Sequence, residues 1–488
     1  MKIYVVYDGS VEPNDNIRDI IGDKGFGNVI VKRQKLSDIY QKQVSGLKAD
    51  ELCWQHIGAY YEFEALKSHI CRDAEKQEVR VIHCFSNFII TDKTEVNQAL
   101  AKAAFITETT AVKQGGKVAA VMFPDGETYG AFLDRVLDQK SSVAAVRELK
   151  ALPLNATGFG YIGSFFNFVQ CITGHFDSRY FNALKGNEYT LTKTSKNKKK
   201  IKAEYTFYHL LPEDMRFWFV MPFNYTETAT TASYTMERLH MTDLAVKWVH
   251  GSMDEEEFSE LMDRYFYFFR SRHEKPCDLA EYNATARALY VDKVNKRVAE
   301  LKQCPEYARI EALLAATPDA DLDALVARYF ALKDKIESRH TYPAVQVIGH
   351  GDPCFSNALY NKATKTLKLI DPKGALTEAE LWTNPYYDIA KLSHSVCGRY
   401  DFFNNGIYDI HIDEHFGYRL EIPFDNAKYV SVFRKKVAAN GLDYLTVRIY
   451  EASLFLSMLP LHIDNPHKVF AFILNAKQIL EEIEHDLK

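Results

Sequence analysis

Short apolar runs alternate with amphipathic helical patterns through the first third of the chain. Strands are predicted at "KIYVVY" (2–7), "NVIVKR" (28–33), "VRVIH" (79–83), "FII" (88–90) and "KVAAVMF" (117–123), and helices at 95–106 and 129–139. Such alternation is typical of an α/β layer, in which helices cover a mainly parallel sheet. We therefore predict an α/β N-terminal domain over residues 1–155.

The pattern changes twice further along the chain. A β-hairpin is predicted from "RYFNAL", a turn at Lys185-Gly186-Asn187 and "EYTLTKTS", followed by the helix "KKKIKAEYTFYHLL" and strands at "RFWFVMPF" and "YTMERL". Amphipathic helical spacing then covers 255–272, 281–303 and 321–339. These patterns favour an α+β bilobal domain, with a small β-rich lobe over 156–242 and a large helical lobe over 243–488.

Composition sets the class of protein. A chain of 488 residues, 47% hydrophobic and 26% charged, is long enough for two or three globular domains. Its net charge of -5 provides no basic excess for nucleic acid, so no nucleic-acid partner is expected. The eight cysteines form no CxxC pair, and we interpret them as reduced thiols. No signal peptide or membrane span is recognisable, which favours a cytoplasmic location, and a homo-oligomer is left open.

The tract "HGDPCFSN" carries the chemistry. Asp352 and Asn357 follow a predicted strand at 345–349, and Asp371 ends a second strand in "TLKLIDPKG". We expect the two strands to be adjacent, so that these oxygen-bearing side chains gather at their ends. Hard oxygen ligands suit Mg²⁺, and phosphoryl transfer needs a carboxylate beside the acceptor hydroxyl as well as groups that hold the metal.

The tract and the "LIDPKG" that follows it resemble the aminoglycoside phosphotransferase and choline kinase superfamily, which has a protein-kinase-like fold. The resemblance implies that Asp352 is the catalytic base, that Asn357 and Asp371 are metal ligands, and that His350 is structural. The segment "NPYYDIAKL" is also similar to the family, and Asp388 would support the catalytic loop. The alternative is a β-hairpin with ordinary polar loop residues.

Upstream residues extend the resemblance. Kinases of this kind need a lysine on a strand to contact the nucleotide phosphates and a glutamate on the next helix to position it. Lys193 and Glu204 fit these places, and Lys196 is less suitable because it lies in a polar turn. The backbone from about Glu237 to Leu239 would bind the nucleobase. The alternative is a pair of exposed charges on a strand and a helix.

The phosphate-covering loop is the weak part of this pattern. "GFGYIGS" fits GxGxxG, but it lies about 30 residues before Lys193, and a lone motif of this kind is weak. An interdomain turn is therefore the preferred interpretation of Gly158, Gly160 and Gly163. The N-terminal domain has Asp8 at the end of its first strand, without a DxD pair. A second enzyme, a binding module and a docking platform all stay open for it.

The sequence thus predicts a phosphotransferase with an alcohol group as acceptor. It would use ATP or GTP with Mg²⁺ to phosphorylate a hydroxyl of a sugar, an amino alcohol or a related metabolite. The resemblance suggests a place in bacterial surface-polysaccharide or lipid head-group synthesis. The alternatives are a catalytically silent kinase-like scaffold and a bifunctional enzyme with a second activity in its N-terminal domain.

Overall fold

The computed structural model describes the chain except for residues 32, 48, 173–181, 188, 316, 318–320, 340–342, 413 and 415–416. The chain forms two compact units, Met1–Asp177 and Ser178–Lys488. Both units mix helices and strands, in agreement with the predicted α/β and α+β classes at that level.

The first unit begins with a strand and alternates strands with helices. Its strands are β1 (Lys2–Asp8), β2 (Ile30–Val31), β3 (Gln34–Lys35), β4 (Glu51–Ile57), β5 (Val79–Phe85), β6 (Phe88–Ile90), β7 (Thr110–Gln114), β8 (Lys117–Phe123), β9 (Leu152–Asn155) and β10 (Phe159–Tyr161). Its helices are α1 (Asp15–Ile21), α2 (Leu36–Val44), α3 (Phe63–Ala74), α4 (Lys93–Leu100), α5 (Gly126–Gln139), α6 (Ser142–Arg147) and α7 (Phe165–Ile172).

Six of these strands form one sheet in the order β4-β1-β5-β8-β7-β9. The strands β4, β1 and β5 are parallel, and every residue of β1 is buried, as expected for a central strand. The prediction of a mainly parallel sheet holds for three of the five strand pairings, since β7 and β9 are also parallel, whereas β8 is antiparallel to both β5 and β7. Gly115 and Gly116, both with positive φ, turn β7 directly back into β8, and a tight hairpin can only join antiparallel strands.

The glycine motif of the sequence lies in the first unit. Strand β10 pairs antiparallel with β6, and the backbone N–H of Thr91 donates to the carbonyl of Gly158 at 2.8 Å. A Cβ at Gly158 would lie 2.8 Å from the carbonyl oxygen of Asp92, so glycine permits this close approach. The structure therefore joins residues 156–172 to the first unit, whereas the sequence assigns them to the start of the next domain.

The second unit begins with a small sheet and continues mainly as helices. Its strands are β11 (Asn182–Gly186), β12 (Thr190–Ser195), β13 (Pro222–Glu227), β14 (Ala232–Glu237), β15 (Thr242–Asp243), β16 (Glu274–Pro276), β17 (Val345–Ile348), β18 (Ala358–Asn361), β19 (Thr366–Leu369), β20 (Trp382–Thr383), β21 (Asp409–Ile412) and β22 (Tyr418–Glu421). Its helices are α8 (Lys198–Leu210), α9 (Glu213–Arg216), α10 (Leu244–His250), α11 (Glu255–Ser271), α12 (Leu279–Arg287), α13 (Lys293–Lys302), α14 (Tyr307–Ala315), α15 (Leu322–Glu337), α16 (Tyr387–Val396), α17 (Tyr400–Asn404), α18 (Ala427–Ala439), α19 (Tyr444–Met458) and α20 (Pro466–Asp486).

The small sheet is antiparallel, in the order β11-β12-β14-β13. The predicted hairpin is present as β11 and β12, although residues 179–181 and 188 of its predicted strands lie outside the described residues. The strand predicted over 216–223 begins only at Pro222. The helical turn α9 comes before it, because Pro212 precedes two acidic residues, Glu213 and Asp214, that favour the start of a helix.

A large apolar core joins the helices of the second unit. Trp248 on α10 is 1% exposed, and its ring lies 4.9 to 6.4 Å from the rings of Phe258, Phe355, Phe402, Phe424 and Tyr429. The helices predicted at 255–272, 281–303 and 321–339 appear as α11, as α12 with α13, and as α15; a π-helical turn at Ala288–Asp292 joins α12 to α13. Within the described residues, no helix has the length and apolarity needed to cross a membrane.

Truncation of Trp248 tests this aromatic core. We expect Trp248→Ala to lower the free energy of unfolding of the second unit by about 3–5 kcal/mol, because it removes a large buried ring and leaves a cavity. Urea unfolding followed by hydrogen-exchange mass spectrometry of peptides from 244–488 measures the change. Leu279→Ala, at a position that is 63% exposed, is the control, and equal effects of the two substitutions would contradict the assignment.

Candidate active site

Lys193 lies at the centre of a buried charge cluster in the second unit. Its Nζ donates to Glu204 Oε2 at 2.7 Å and to Asp371 Oδ1 at 2.8 Å. The side chains of Lys193 and Glu204 are 3% and 1% exposed, whereas that of Asp371 is 40% exposed. The structure thus brings together three residues that the sequence predicts for one site, although they are up to 178 positions apart.

The electrostatics of this cluster keep the lysine charged. Burial alone would lower the pKa of Lys193, but the neighbouring carboxylates of Asp371 and Glu204 outweigh burial and raise it. The phenol of Tyr234 donates to Glu204 Oε2 at 3.0 Å and fixes that carboxylate from the next strand. A lysine held in this way presents a fixed positive charge beside a partly exposed carboxylate.

Local folding explains how the three residues meet. Lys193 pairs with Tyr234 across β12 and β14, and Glu204 lies on α8, which the Asn197 side chain caps. The segment after Asp371 runs against α8, where the backbone N–H of Ala375 donates to the carbonyl of Ala203 at 3.0 Å. Gly374 has a φ of 88°, and a Cβ there would lie 2.8 Å from the Ala203 backbone. The glycine of "DPKG" therefore permits the approach that delivers Asp371 to Lys193.

His350 supports the loop that carries Asp352. Its Nδ1 accepts from the backbone N–H of Asp352 at 3.0 Å, so its Nε2 carries the proton and donates to the carbonyl of Ile370 at 2.9 Å. The ring is fully buried and stacks on Phe219 at 5.8 Å, and burial lowers the pKa of His350, which favours the neutral imidazole. This arrangement agrees with the structural role that the sequence predicts for His350.

Asp388, at the first turn of α16, lies beneath the same loop. Its two carboxylate oxygens accept from the backbone N–H groups of His350 at 2.9 Å and Gly351 at 2.8 Å. The buried guanidinium of Arg272 contacts the same carboxylate at 3.3 Å. Gly351 has a φ of 85°, a conformation that side chains with a Cβ rarely adopt. Asp388 therefore holds the loop in place through backbone contacts.

The two strands that flank the loop are not adjacent, contrary to the sequence prediction. Strand β17 pairs with β16 and β20, whereas β19 pairs with β18, so the strands belong to different sheets. Loop contacts join them instead: Ile370 N–H donates to the Asn357 carbonyl and Lys373 N–H donates to the His350 carbonyl, both at 2.9 Å. The loop of Asp352 and the segment of Asp371 are therefore bound directly to each other.

Lys391 is a member of the site that sequence reasoning missed. Its Nζ lies 3.0 Å from Asp352 Oδ1. Burial would raise the pKa of Asp352, but the charge and hydrogen bond of Lys391 outweigh it and lower this pKa; the same pairing raises the pKa of Lys391 against its burial. A signal was available, because Lys391 comes three residues after Asp388 in the segment "NPYYDIAKL", and residues three apart lie on the same face of a helix.

Asn357 and Asp371 have the donor atoms that a magnesium ion requires. The Asn357 Nδ2 donates to the Asp352 carbonyl at 2.9 Å, which fixes the amide orientation and leaves Oδ1 for another partner. Lys193 contacts only Oδ1 of Asp371, so a carboxylate oxygen is left there as well. No cluster of three or more His, Cys, Asp or Glu side chains suited to a metal occurs among the described residues. The predicted pair is a smaller set, of the kind Mg²⁺ uses together with phosphate oxygens.

The predicted nucleobase segment lies at the end of the small sheet. Glu237 is the last residue of β14 and is exposed, and Leu239 follows in the half-buried connection to β15. Between them, the backbone N–H of Arg238 donates to the carbonyl of Tyr189 at 2.8 Å. The base-binding role of Glu237 and Leu239 stays a prediction.

Comparisons with known proteins give a distant likeness. No family model matches the chain, and no curated protein matches it. Among solved structures, the chain is similar to a thermostable mutant of aminoglycoside phosphotransferase APH(4)-Ia in its apo form, with 10% identity and a TM-score of 0.33. It is also similar to a ternary complex of such a mutant with AMP-PNP and hygromycin B, with 10% identity and a TM-score of 0.34. Both matches cover 62% of this chain and 94% of the other. A likeness at this level does not assign the activity of those proteins to this chain.

Removal of Asp388 tests the support of the loop. We expect Asp388→Ala to lower the free energy of unfolding of the second unit by about 3–5 kcal/mol, because the Arg272 guanidinium stays buried without its partner. Hydrogen exchange in residues 349–357 should rise in parallel. Asp409→Ala, at an exposed position on β21, is the control. An Asp388→Ala protein as stable and as protected as this control would contradict the supporting role.

Proposed function

We propose that this chain is a Mg²⁺-dependent small-molecule kinase that transfers the nucleotide γ-phosphoryl group to a hydroxyl. The main support is the position of Lys193, whose ammonium joins the buried Glu204 to the partly exposed Asp371. The segment after Asp371 is bonded in turn to the loop of Asp352 through the Lys373–His350 contact. A fixed cation, two candidate metal ligands and a base therefore belong to one connected structure, which is the set that phosphoryl transfer requires.

Asp352 has the environment of a general base. Its side chain is 38% exposed, so an acceptor hydroxyl can approach it, while Lys391 favours the ionised carboxylate. Asp352 would orient the hydroxyl and accept its proton as the oxygen attacks phosphorus. The backbone bonds of Asp388 and His350 hold this carboxylate in position before the acceptor binds.

Lys193 would contact the nucleotide phosphates, with Glu204 and Tyr234 setting the position of its ammonium group. Asn357 and Asp371 would hold Mg²⁺ through their remaining side-chain oxygens. In such sites the metal neutralises charge on the phosphate oxygens. The Asp371 carboxylate would thus serve both the lysine and the metal, which explains why one of its oxygens is already engaged by Lys193.

The finer parts of the proposal rest on the sequence resemblance. The first is that the nucleotide is ATP or GTP and that the Glu237–Leu239 backbone contacts its base. The second is that the acceptor is a sugar, an amino alcohol or a related metabolite. A cytoplasmic location and a role in bacterial surface-polysaccharide or head-group synthesis belong to the same proposal. A screen of hydroxylated metabolites for nucleotide consumption would identify the acceptor.

One observation favours a second candidate, a catalytically silent scaffold. The glycine motif Gly158-Phe159-Gly160 belongs to the first unit, where β10 pairs with β6, so it is not part of the unit that contains Lys193. A thermal shift with Mg·ATP and Mg·GTP separates the candidates. A kinase is stabilised by at least one nucleotide, by roughly 2.7 kcal/mol at 100 times its Kd, whereas the absence of any shift favours the scaffold.

Substitution of the proposed base and metal ligand should have different effects. We expect Asp352→Asn to reduce turnover by about 10²–10⁴-fold, the contribution of a positioned general base, while Mg·nucleotide binding persists. Asp371→Ala should weaken Mg·nucleotide binding itself. Turnover is measured by nucleotide consumption with the acceptor found in the screen, and binding by calorimetry. Unchanged turnover in Asp352→Asn would sink the assignment of the base, and Asp409→Asn is the matched control.

The pH dependence of turnover tests the Lys391 contact. Asp352 must be ionised to act as a base, so activity is lost as pH falls through its pKa. Lys391 lowers this pKa and burial raises it, so Lys391→Gln should move the acidic limb of the kcat/KM profile to higher pH. Lys435→Gln, at an exposed position, should leave the limb in place. An acidic limb that does not move in Lys391→Gln contradicts the proposed coupling.

A further inference from the structure

The first unit contains a large open pocket at the carboxyl ends of its parallel strands. Strands β1, β4 and β5 end at Asp8, Ile57 and Phe85, and the residues that follow them line the pocket. The chain leaves β1 to form β4 on one side and returns to form β5 on the other. In open α/β sheets, ligands bind in the crevice where the strand order reverses in this way.

The floor of the pocket is a fixed polar surface. Asp8 is fully buried and accepts hydrogen bonds from the hydroxyls of Ser10 and Ser142, both of which line the pocket. His83 Nε2 lies 3.1 Å from Asp8 Oδ2, the oxygen that also accepts from Ser142, and His83 Nδ1 lies 3.1 Å from the Tyr129 hydroxyl. Because Ser10 and Ser142 donate inward to Asp8, their oxygens are left as acceptors for a ligand.

The walls of the pocket carry more positive than negative charge. Arg18, Lys24 and Lys140 line it together with only two carboxylates, Glu12 and Asp23. Arg18 forms an ion pair with Glu12, and the other charged side chains of the lining are Lys24, Lys140 and Asp23. Lys24 is half-buried, and its burial lowers its pKa; an anion bound nearby would favour the charged form of this side chain. This balance of charge suits an anionic ligand.

Two further features point to an organic part on that ligand. The Oδ1 atom of Asn87, which also lines the pocket, is buried and accepts no hydrogen bond from the described part of the chain. A buried acceptor without a donor costs free energy, and a ligand hydroxyl or N–H would satisfy it. The rings of Tyr60, Tyr61 and Tyr161 line the pocket as well, and aromatic faces pack against sugar rings and heterocyclic bases.

We propose that this pocket binds a small phosphate ester with a hydroxyl-bearing organic part, the chemistry that sugar phosphates and mononucleotides share. Lys24 and Lys140 would attract the phosphate, and the Asn87 carbonyl would accept from the organic part. This site shares no residue with the proposed kinase site, because all of its lining residues belong to the first unit. The first unit is thereby a ligand-binding module in its own right, whether or not the second unit transfers phosphate.

The test uses the full chain carrying Asp371→Ala, so that nucleotide binding in the second unit is suppressed. Calorimetric titrations with inorganic phosphate, glucose 1-phosphate and UMP measure binding to each probe. Comparison of inorganic phosphate with the esters shows what the organic part contributes to affinity, and comparison of the two esters distinguishes a sugar phosphate from a nucleotide. We expect saturable binding of at least one ester, tighter than that of inorganic phosphate. Lys24→Glu and Lys140→Glu should each weaken it by at least about tenfold, a change of 1.4 kcal/mol.

Two further variants protect this test from a folding artefact. Lys102→Glu makes the same charge change at an exposed position outside the pocket and should leave the affinity unchanged. Asn87→Asp keeps the size of the side chain but adds a negative charge, and it should also weaken ester binding. The proposal is overturned if none of the three probes binds saturably, if inorganic phosphate binds as tightly as both esters, or if Lys24→Glu behaves like Lys102→Glu.

Discussion

The second unit depends on one buried contact, the ammonium of Lys193 between the carboxylates of Glu204 and Asp371. Each of the three residues belongs to a different element: strand β12, helix α8 and the segment after β19. Taking these charges out of water is costly, and only good geometry between the partners repays the cost. The contact is therefore expected to add little net stability, and it forms only where the three elements meet. A carboxylate with a free oxygen is left beside a fixed cation at the surface of this arrangement.

A second cluster, around Asp388, does the same for the loop of Asp352. Asp388 uses both carboxylate oxygens on the loop backbone and is neutralised by a buried arginine. His350 ties that loop to Ile370, one residue before Asp371. The two clusters are thus joined through the segment 370–374, so a displacement of one would be felt by the other. Such mutual support is what positioned phosphoryl-transfer groups require, because their catalysis depends largely on placement.

The sequence predicted much of the second unit because its signals are local. The strand of Lys193 and the helix of Glu204 follow from the hairpin and helical patterns of the sequence, whereas the choice of these two residues comes from the family resemblance. The helices after residue 255 follow from amphipathic spacing. Contacts between residues that are far apart in the chain were not predicted from the sequence. The separation of β17 and β19 into different sheets depends on partners far away in the chain, and the Lys391–Asp352 contact joins a helix to a loop 39 residues earlier. In the first unit, the turn at Gly115-Gly116 adds one antiparallel strand to an otherwise parallel sheet, and the pairing of β10 with β6 extends the unit beyond residue 155.

The central claim is that the Lys193–Glu204 contact prepares the second unit for a Mg·nucleotide. Calorimetric titration of the full chain with Mg²⁺ and AMP-PNP, a nucleotide that is not hydrolysed, tests it most directly. Glu204→Gln removes the charge that holds Lys193 and should weaken binding by at least about tenfold, whereas Glu213→Gln, on the exposed turn α9, should not. Equal affinity of wild type, Glu204→Gln and Glu213→Gln, or no binding by the wild type, would contradict the claim.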